Sequence, residues 1–124
     1  MKNVCVIGCG ALGKRHVEGL SKSLNIRQIY LIDPVDQNLI NAERLNKNKN
    51  ILMTKLHNID GLPPKLDLVI VATQANVRKV VLKSLLERVV VNKIILEKIF
   101  FNNRDHFNGI EQLFNDNNVT CEVN

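Results

Sequence analysis

The sequence predicts an α/β fold, a doubly wound parallel sheet in a single domain over residues 1–124. Three observations predict it. Short β-branched runs alternate with helical patterns along the whole chain. A glycine-rich turn joins the first run to the first helix. The apolar content is Ile, Leu and Val, with 4% aromatic residues and no Trp, the usual filling of a parallel sheet covered on both sides. Strand–helix alternation of this regularity places helices on both faces of the sheet. The length suits one domain with its own core.

The first strand is Asn3 to Ile7 (NVCVI), and the first helix runs from the glycine turn to about Leu24. Leu12, Val17, Leu20 and Leu24 fall roughly on one of its faces. A second strand, Gln28 to Ile32, is closed by Asp33 and Pro34. Leu39, Ala42, Glu43 and Leu45 mark a helix to about Asn46, and Ile51 to Leu56 is the third strand. Gly61, Pro63 and Pro64 make the following stretch a connection. Leu66 to Ala72 (LDLVIVA) is the most continuously apolar run and reads as a central strand. Val77, Val81, Leu85 and Val89, with Val80 alongside, predict a helix with a wide apolar face to about Val91. Lys93 to Leu96, a helix from about Arg104 to Phe114, and a short strand at Val119 to Val123 complete the pattern.

The net charge is +5 and the pI about 9.3. Lys14, Arg15, Lys22, Arg44, Lys55, Arg78, Lys83 and Arg104 are spread along the chain without a basic run or interleaved aromatics. They read as solvated faces, so no nucleic-acid partner is expected. Three cysteines, Cys5, Cys9 and Cys121, form no CxxC or Cys/His cluster, which supports neither a disulfide framework nor a metal site. Cys5 reads as a small core residue, and Cys9 receives no role. The first strand begins at about residue 2, and no apolar stretch approaches the ~20 residues of a membrane span. The expected compartment is the reducing cytoplasm, with no membrane partner.

Gly8 to Gly13 (GCGALG) matches GxGxxG, follows a strand and opens a helix, as in the dinucleotide-binding Rossmann fold. Gly8 allows the tight turn out of the strand. Gly10 lacks a Cβ, so the backbone can approach a pyrophosphate, and Gly13 permits close helix packing. Free N–H groups at the helix start, around Ala11 and Leu12, face the phosphates at the positive end of the helix dipole. Asp33 lies 20 residues after Gly13, where a carboxylate accepts from the adenosine ribose hydroxyls. Its charge repels a 2′-phosphate, and no Arg or Lys follows in Pro34 to Gln37 to offset it. NAD is therefore favoured over NADP. The competing reading makes Asp33 a cap of the next helix. A methyltransferase fold also places a glycine loop and an acidic residue here, but its loop is usually a looser GxGxG.

Three segments together resemble the glucose–fructose oxidoreductase, inositol dehydrogenase and rhizopine-catabolism (Gfo/Idh/MocA) family. They are VIGCGALGKRHVEGL (Val6 to Leu20), VIVATQANVRKVVLKSLL (Val69 to Leu86) and KIILEKIF (Lys93 to Phe100). The resemblance implies that Thr73 and Asn76 lie beside the cofactor ribose and pyrophosphate, and that Glu97 lies near the nicotinamide ribose. It implies that Lys98 contacts the cofactor and the reacting hydroxyl of the substrate, as a general acid–base. Two positions depart from the family pattern. Ile99 replaces the proline of Glu-Lys-Pro, and Arg78 replaces a histidine.

The resemblance further implies an oxidoreductase acting on a sugar, sugar nucleotide or cyclitol. In that family a second, C-terminal domain, absent here, binds the small-molecule substrate and builds a homo-oligomer. On this reading the chain is a cofactor domain that turns over little substrate alone; the alternative is a stand-alone nucleotide-binding module. His16 is read as an exposed or packing residue rather than a base, and His57 and His106 have no partner legible in the sequence.

Overall fold

The computed structural model describes residues 1–97 and 111–123, the side chains of residues 75 and 76 excepted. The elements follow the expected order: β1 (Lys2–Ile7), α1 (Ala11–Leu20), β2 (Ile26–Ile32), α2 (Asp36–Glu43), β3 (Leu52–Leu56), a 3-10 turn (Ile59–Gly61), β4 (Lys65–Val71), α3 (Ala75–Arg88), β5 (Val90–Leu96) and β6 (Thr120–Val123). Residues 111–116 are helical; the start of that predicted helix lies outside the described residues. The strands form one six-stranded sheet in the order β3-β2-β1-β4-β5-β6, every pair parallel. This is the doubly wound Rossmann arrangement, with its switch point between β1 and β4.

Alternate side chains of each strand feed two cores, one per face. Val4, Val6, Ile29, Leu31 and Ile70 pack with Val17 of α1 and with Leu39 and Ala42 of α2. On the other face Cys5, Ile7, Val69, Val71, Ile94 and Leu96 pack with Leu82, Leu85 and Leu86 of α3 and with Phe114. The expectation for the LDLVIVA run holds, since β4 lies between β1 and β5 with both faces covered.

Four expectations need correction. The helix expected to about Val91 ends at Arg88, and β5 begins at Val90, before Lys93, because Val90 N–H already pairs with Pro64 O (2.9 Å) beside β4. Helix α1 stops at Leu20, because Ser21 to Asn25 turn back toward β2; Ser21 Oγ donates to Glu18 O at 2.7 Å. Leu24 consequently projects from the turn at 94% exposed instead of extending the packed face. Helix α2 likewise ends at Glu43, before Asn46. In α3 the buried stripe is Arg78, Leu82, Leu85 and Leu86, while Val77 and Val80 are exposed. The wide apolar pattern had merged two faces, one in the core and one lining a crevice.

Candidate functional site

The site lies along the carboxyl ends of the strands, where each chain leaving the sheet is tied to its neighbour. Asp33 N–H donates to Leu56 O (3.1 Å), Gly8 N–H to Ile32 O (2.8 Å), Ala72 N–H to Ile7 O (2.8 Å) and Glu97 N–H to Val71 O (3.2 Å). These bonds carry the sheet one residue beyond the strands. They set Asp33, Gly8, Ala72 and Glu97 in a row, so three candidate positions, Gly8, Asp33 and Glu97, are placed by backbone pairing.

The glycine turn has three distinct constraints. Gly8 adopts φ +90°, and a Cβ there would lie 2.8 Å from Ala72 O; both the left-handed φ and the contact require glycine. A Cβ on Gly13 would overlap Gly8 O. The third glycine therefore lets α1 close over the turn itself, a more local task than packing on the sheet. Around Gly10 nothing lies within 4 Å of where a Cβ would point. Gly10 caps α1, whose first turn holds no acidic side chain, so no carboxylate of that turn offsets the helix's positive end.

Asp33 is 6% exposed and clamps this turn from β2. Its Oδ2 accepts from Cys9 N–H at 2.8 Å, while Oδ1 accepts from Val35 N–H at 2.8 Å and from Asn38 Nδ2 at 3.3 Å. The capping reading of Asp33 needs correction: the cap of α2 is Val35, with no side-chain cap bond, and Asp33 holds the amide of that residue while lining the crevice. A carboxylate has about four acceptor sites, so capacity remains for a ligand hydroxyl. Cys9 points inward, its thiol directed at Ile32 O (3.7 Å) and Val6 O (3.8 Å). Burial, and secondly the charge of Asp33, push that thiol up to about 12, against which the contact with Ile32 O works. It is a buried core group.

A crevice of about 720 Å³ opens over the turn, the size of a small-molecule site. Gly8, Gly10, Ala11, Leu12, Asp33 and Thr73 line it, so six predicted residues converge there. Thr73 Oγ1 is buried and has no hydrogen-bond partner among the described residues. Gly13 packs beneath the turn. Glu97 does not line the crevice; its carboxylate is hydrogen-bonded to His16 Nε2. Lys98 and the Asn76 side chain lie outside the described residues, as does His106.

Sequence reasoning missed other lining residues: Asn38 beside Asp33, and His57, Ile59, Val77, Val80, Val81 and Ser84. His57, for which no partner was legible, pairs with Asp36 at the rim. The one local signal was the excess width of the α3 apolar stripe. Among the described residues no group of His, Cys, Asp and Glu is arranged to hold a metal.

The model of the Gfo/Idh/MocA oxidoreductase family, NAD-binding Rossmann fold, matches residues 2–124. The chain belongs to this family. Solved structures share its fold. GenD2 from gentamicin A biosynthesis, solved in complex with NAD, superposes with a TM-score of 0.79 at 18% identity, over 98% of this chain and 34% of that one. WlbA dehydrogenase from Chromobacterium violaceum, in complex with NADH and UDP-GlcNAcA, gives 0.78 at 13% identity, over 99% and 34%. The myo-inositol 2-dehydrogenase of Lactobacillus plantarum gives 0.76 at 16%, over 99% and 36%. At these identities the likeness concerns the fold, and the chain spans about a third of each structure's length. No curated protein sequence matches it. No helix among the described residues is long and apolar enough to cross a membrane.

The residues present fit a dinucleotide. The family's NAD-binding fold meets an open, glycine-lined helix terminus, a carboxylate one strand away, and a buried hydroxyl without a partner.

Proposed function

We propose that the chain holds NAD across the switch point, as the cofactor domain of an oxidoreductase acting on a hydroxyl carbon of a sugar, sugar nucleotide or cyclitol. The observation that carries the reading is the open space at Gly10, at the positive end of α1, whose first turn has no acidic side chain, and beside Asp33. Amides of Ala11 and Leu12 bind the pyrophosphate. Asp33 accepts from the adenosine ribose and disfavours a 2′-phosphate, hence NAD before NADP. Thr73 donates its hydroxyl to the ligand at the β4 end, with Asn76 beside it. Bound there, the dinucleotide supplies the hydride chemistry. Glu97 shapes the nicotinamide end, and Lys98 exchanges a proton with the substrate hydroxyl as the catalytic residue.

The substrate class rests on the neighbours, which include a myo-inositol dehydrogenase and an enzyme crystallised with a sugar nucleotide. Since those chains are about three times longer, we assign substrate binding and homo-oligomer contacts to a further domain of the full-length protein. Cys5, Cys9 and Cys121 are unbridged, which suits a cytoplasmic setting. A titration of NADH fluorescence with the 124-residue chain tests the proposal. Saturable binding that Gly10→Ala weakens is expected; absence of saturation at millimolar NADH and NADPH overturns it.

A further inference from the structure

Beyond the crevice, Glu97 is fastened by three elements. Its N–H donates to Val71 O of β4 at 3.2 Å, its carbonyl accepts from Arg78 Nη2 of α3 at 3.2 Å, and its carboxylate meets His16 Nε2 of α1. Arg78 also donates to Thr73 O at 3.4 Å. Arg78 is 1% exposed and Glu97 9%. Burying a guanidinium and a carboxylate is costly unless both are well bonded, and the apolar residues Ile94 and Leu96 already seat β5 in the core. Hydrophobic burial alone therefore does not account for the cluster.

Its placement does. A dinucleotide crossing the switch point lays its second half over β4 and β5. The cluster joins the three pieces of backbone that half must meet: α1 behind the glycine turn, the Thr73 loop, and the end of β5. We infer that His16 and Arg78 are positioning residues, which hold Glu97 and the Thr73 loop as a preformed floor for the nicotinamide–ribose half of the cofactor. This inference rests on the proposed dinucleotide site. Preorganisation of this kind lowers the ordering cost of binding, and it acts on one half of the ligand only.

Two probes separate the halves. ADP carries the adenosine and the diphosphate; NADH carries both nucleosides. The parent chain binds both. His16→Ala and Arg78→Ala each weaken NADH by about tenfold, or about 1.4 kcal/mol, and leave ADP within about twofold. His16→Gln and Arg78→Lys, which retain a side-chain donor, recover most of the NADH affinity. Equal losses for ADP and NADH, or no loss for either, overturn the inference and leave the dinucleotide site standing. Failure of the parent chain to bind either probe overturns both. His16→Phe keeps a ring of similar bulk without a donor for Glu97 and carries the same comparison should His16→Ala fail to fold.

Discussion

The β1–β2 side of the switch point is made largely of backbone, whereas the β4–β5 side, beyond the crevice, is made of side chains. On the first side, Gly8, Gly10 and Gly13 shape a turn by what they lack, and Asp33 fastens it through the amides of Cys9 and Val35. On the second, His16, Arg78 and Glu97 meet from three different elements, and Thr73 leaves its hydroxyl unpaired among the described residues. The difference teaches where each kind of substitution will be felt. A turn with no spare volume fails when atoms are added, and a side-chain cluster fails when atoms are removed.

The largest effect expected is on the packed turn. Gly13→Val places carbon on Gly8 O and should lower unfolding stability by about 3 kcal/mol, read from the urea midpoint, with loss of NADH binding. A midpoint close to that of the parent chain would show that the turn yields easily, and the contrast between the sides would disappear. Asp33→Ala comes next. It leaves the Cys9 and Val35 amides without their acceptor, at about 1–3 kcal/mol, and weakens NADH more than NADPH. Equal losses for the two cofactors would remove Asp33 from the ribose site.

A pH effect should trace to the same side. The Cys9 thiol, ordinarily near 9.0, is held up to about 12 in the folded chain, chiefly by burial. A folded pKa raised above the unfolded value makes the protonated state a source of stability. That stability is intact below the unfolded value and is lost as pH rises from about 9 toward about 12. Urea midpoints across this range should fall, and Cys9→Ala should shallow the decline; an unchanged slope would place the effect elsewhere, Cys5 being the next buried thiol. The smallest stability change belongs to Gly10→Ala. No atom lies within 4 Å of the new Cβ, so stability should move by less than about 1 kcal/mol while NADH binding weakens about tenfold. Stability and binding falling together would mean that Gly10 serves the fold instead of the ligand.

Much of this molecule was readable beforehand, for reasons that differ by residue. The alternation of β-branched runs with helical patterns prescribes the element order, because burial on two faces leaves a local mark on each strand. GCGALG and Asp33 were legible because a tight turn at a helix terminus limits the residue types it tolerates. Helix ends were harder. Leu24 has the right spacing for α1, yet the chain had already turned at Ser21. In α3, periodicity detected an apolar stripe without separating its core side from its crevice side, since Val77 and Leu82 are equally apolar and differ only in what covers them.

Periodicity and turn chemistry, both local properties, were thus sufficient for the doubly wound sheet and the phosphate turn. The partner of His16 was beyond their reach. It sits 81 residues away in the chain, and no local preference couples a histidine on α1 to a glutamate just past the end of β5. Folding brought them together because β1, β4 and β5 lie side by side in the sheet, which sets the ends of α1 and β5 within reach. The same holds for the inward face of Arg78 and for the wall made by Val77, Val80 and Ser84: contact across a switch point depends on which strands are neighbours, and that is a property of the assembled sheet.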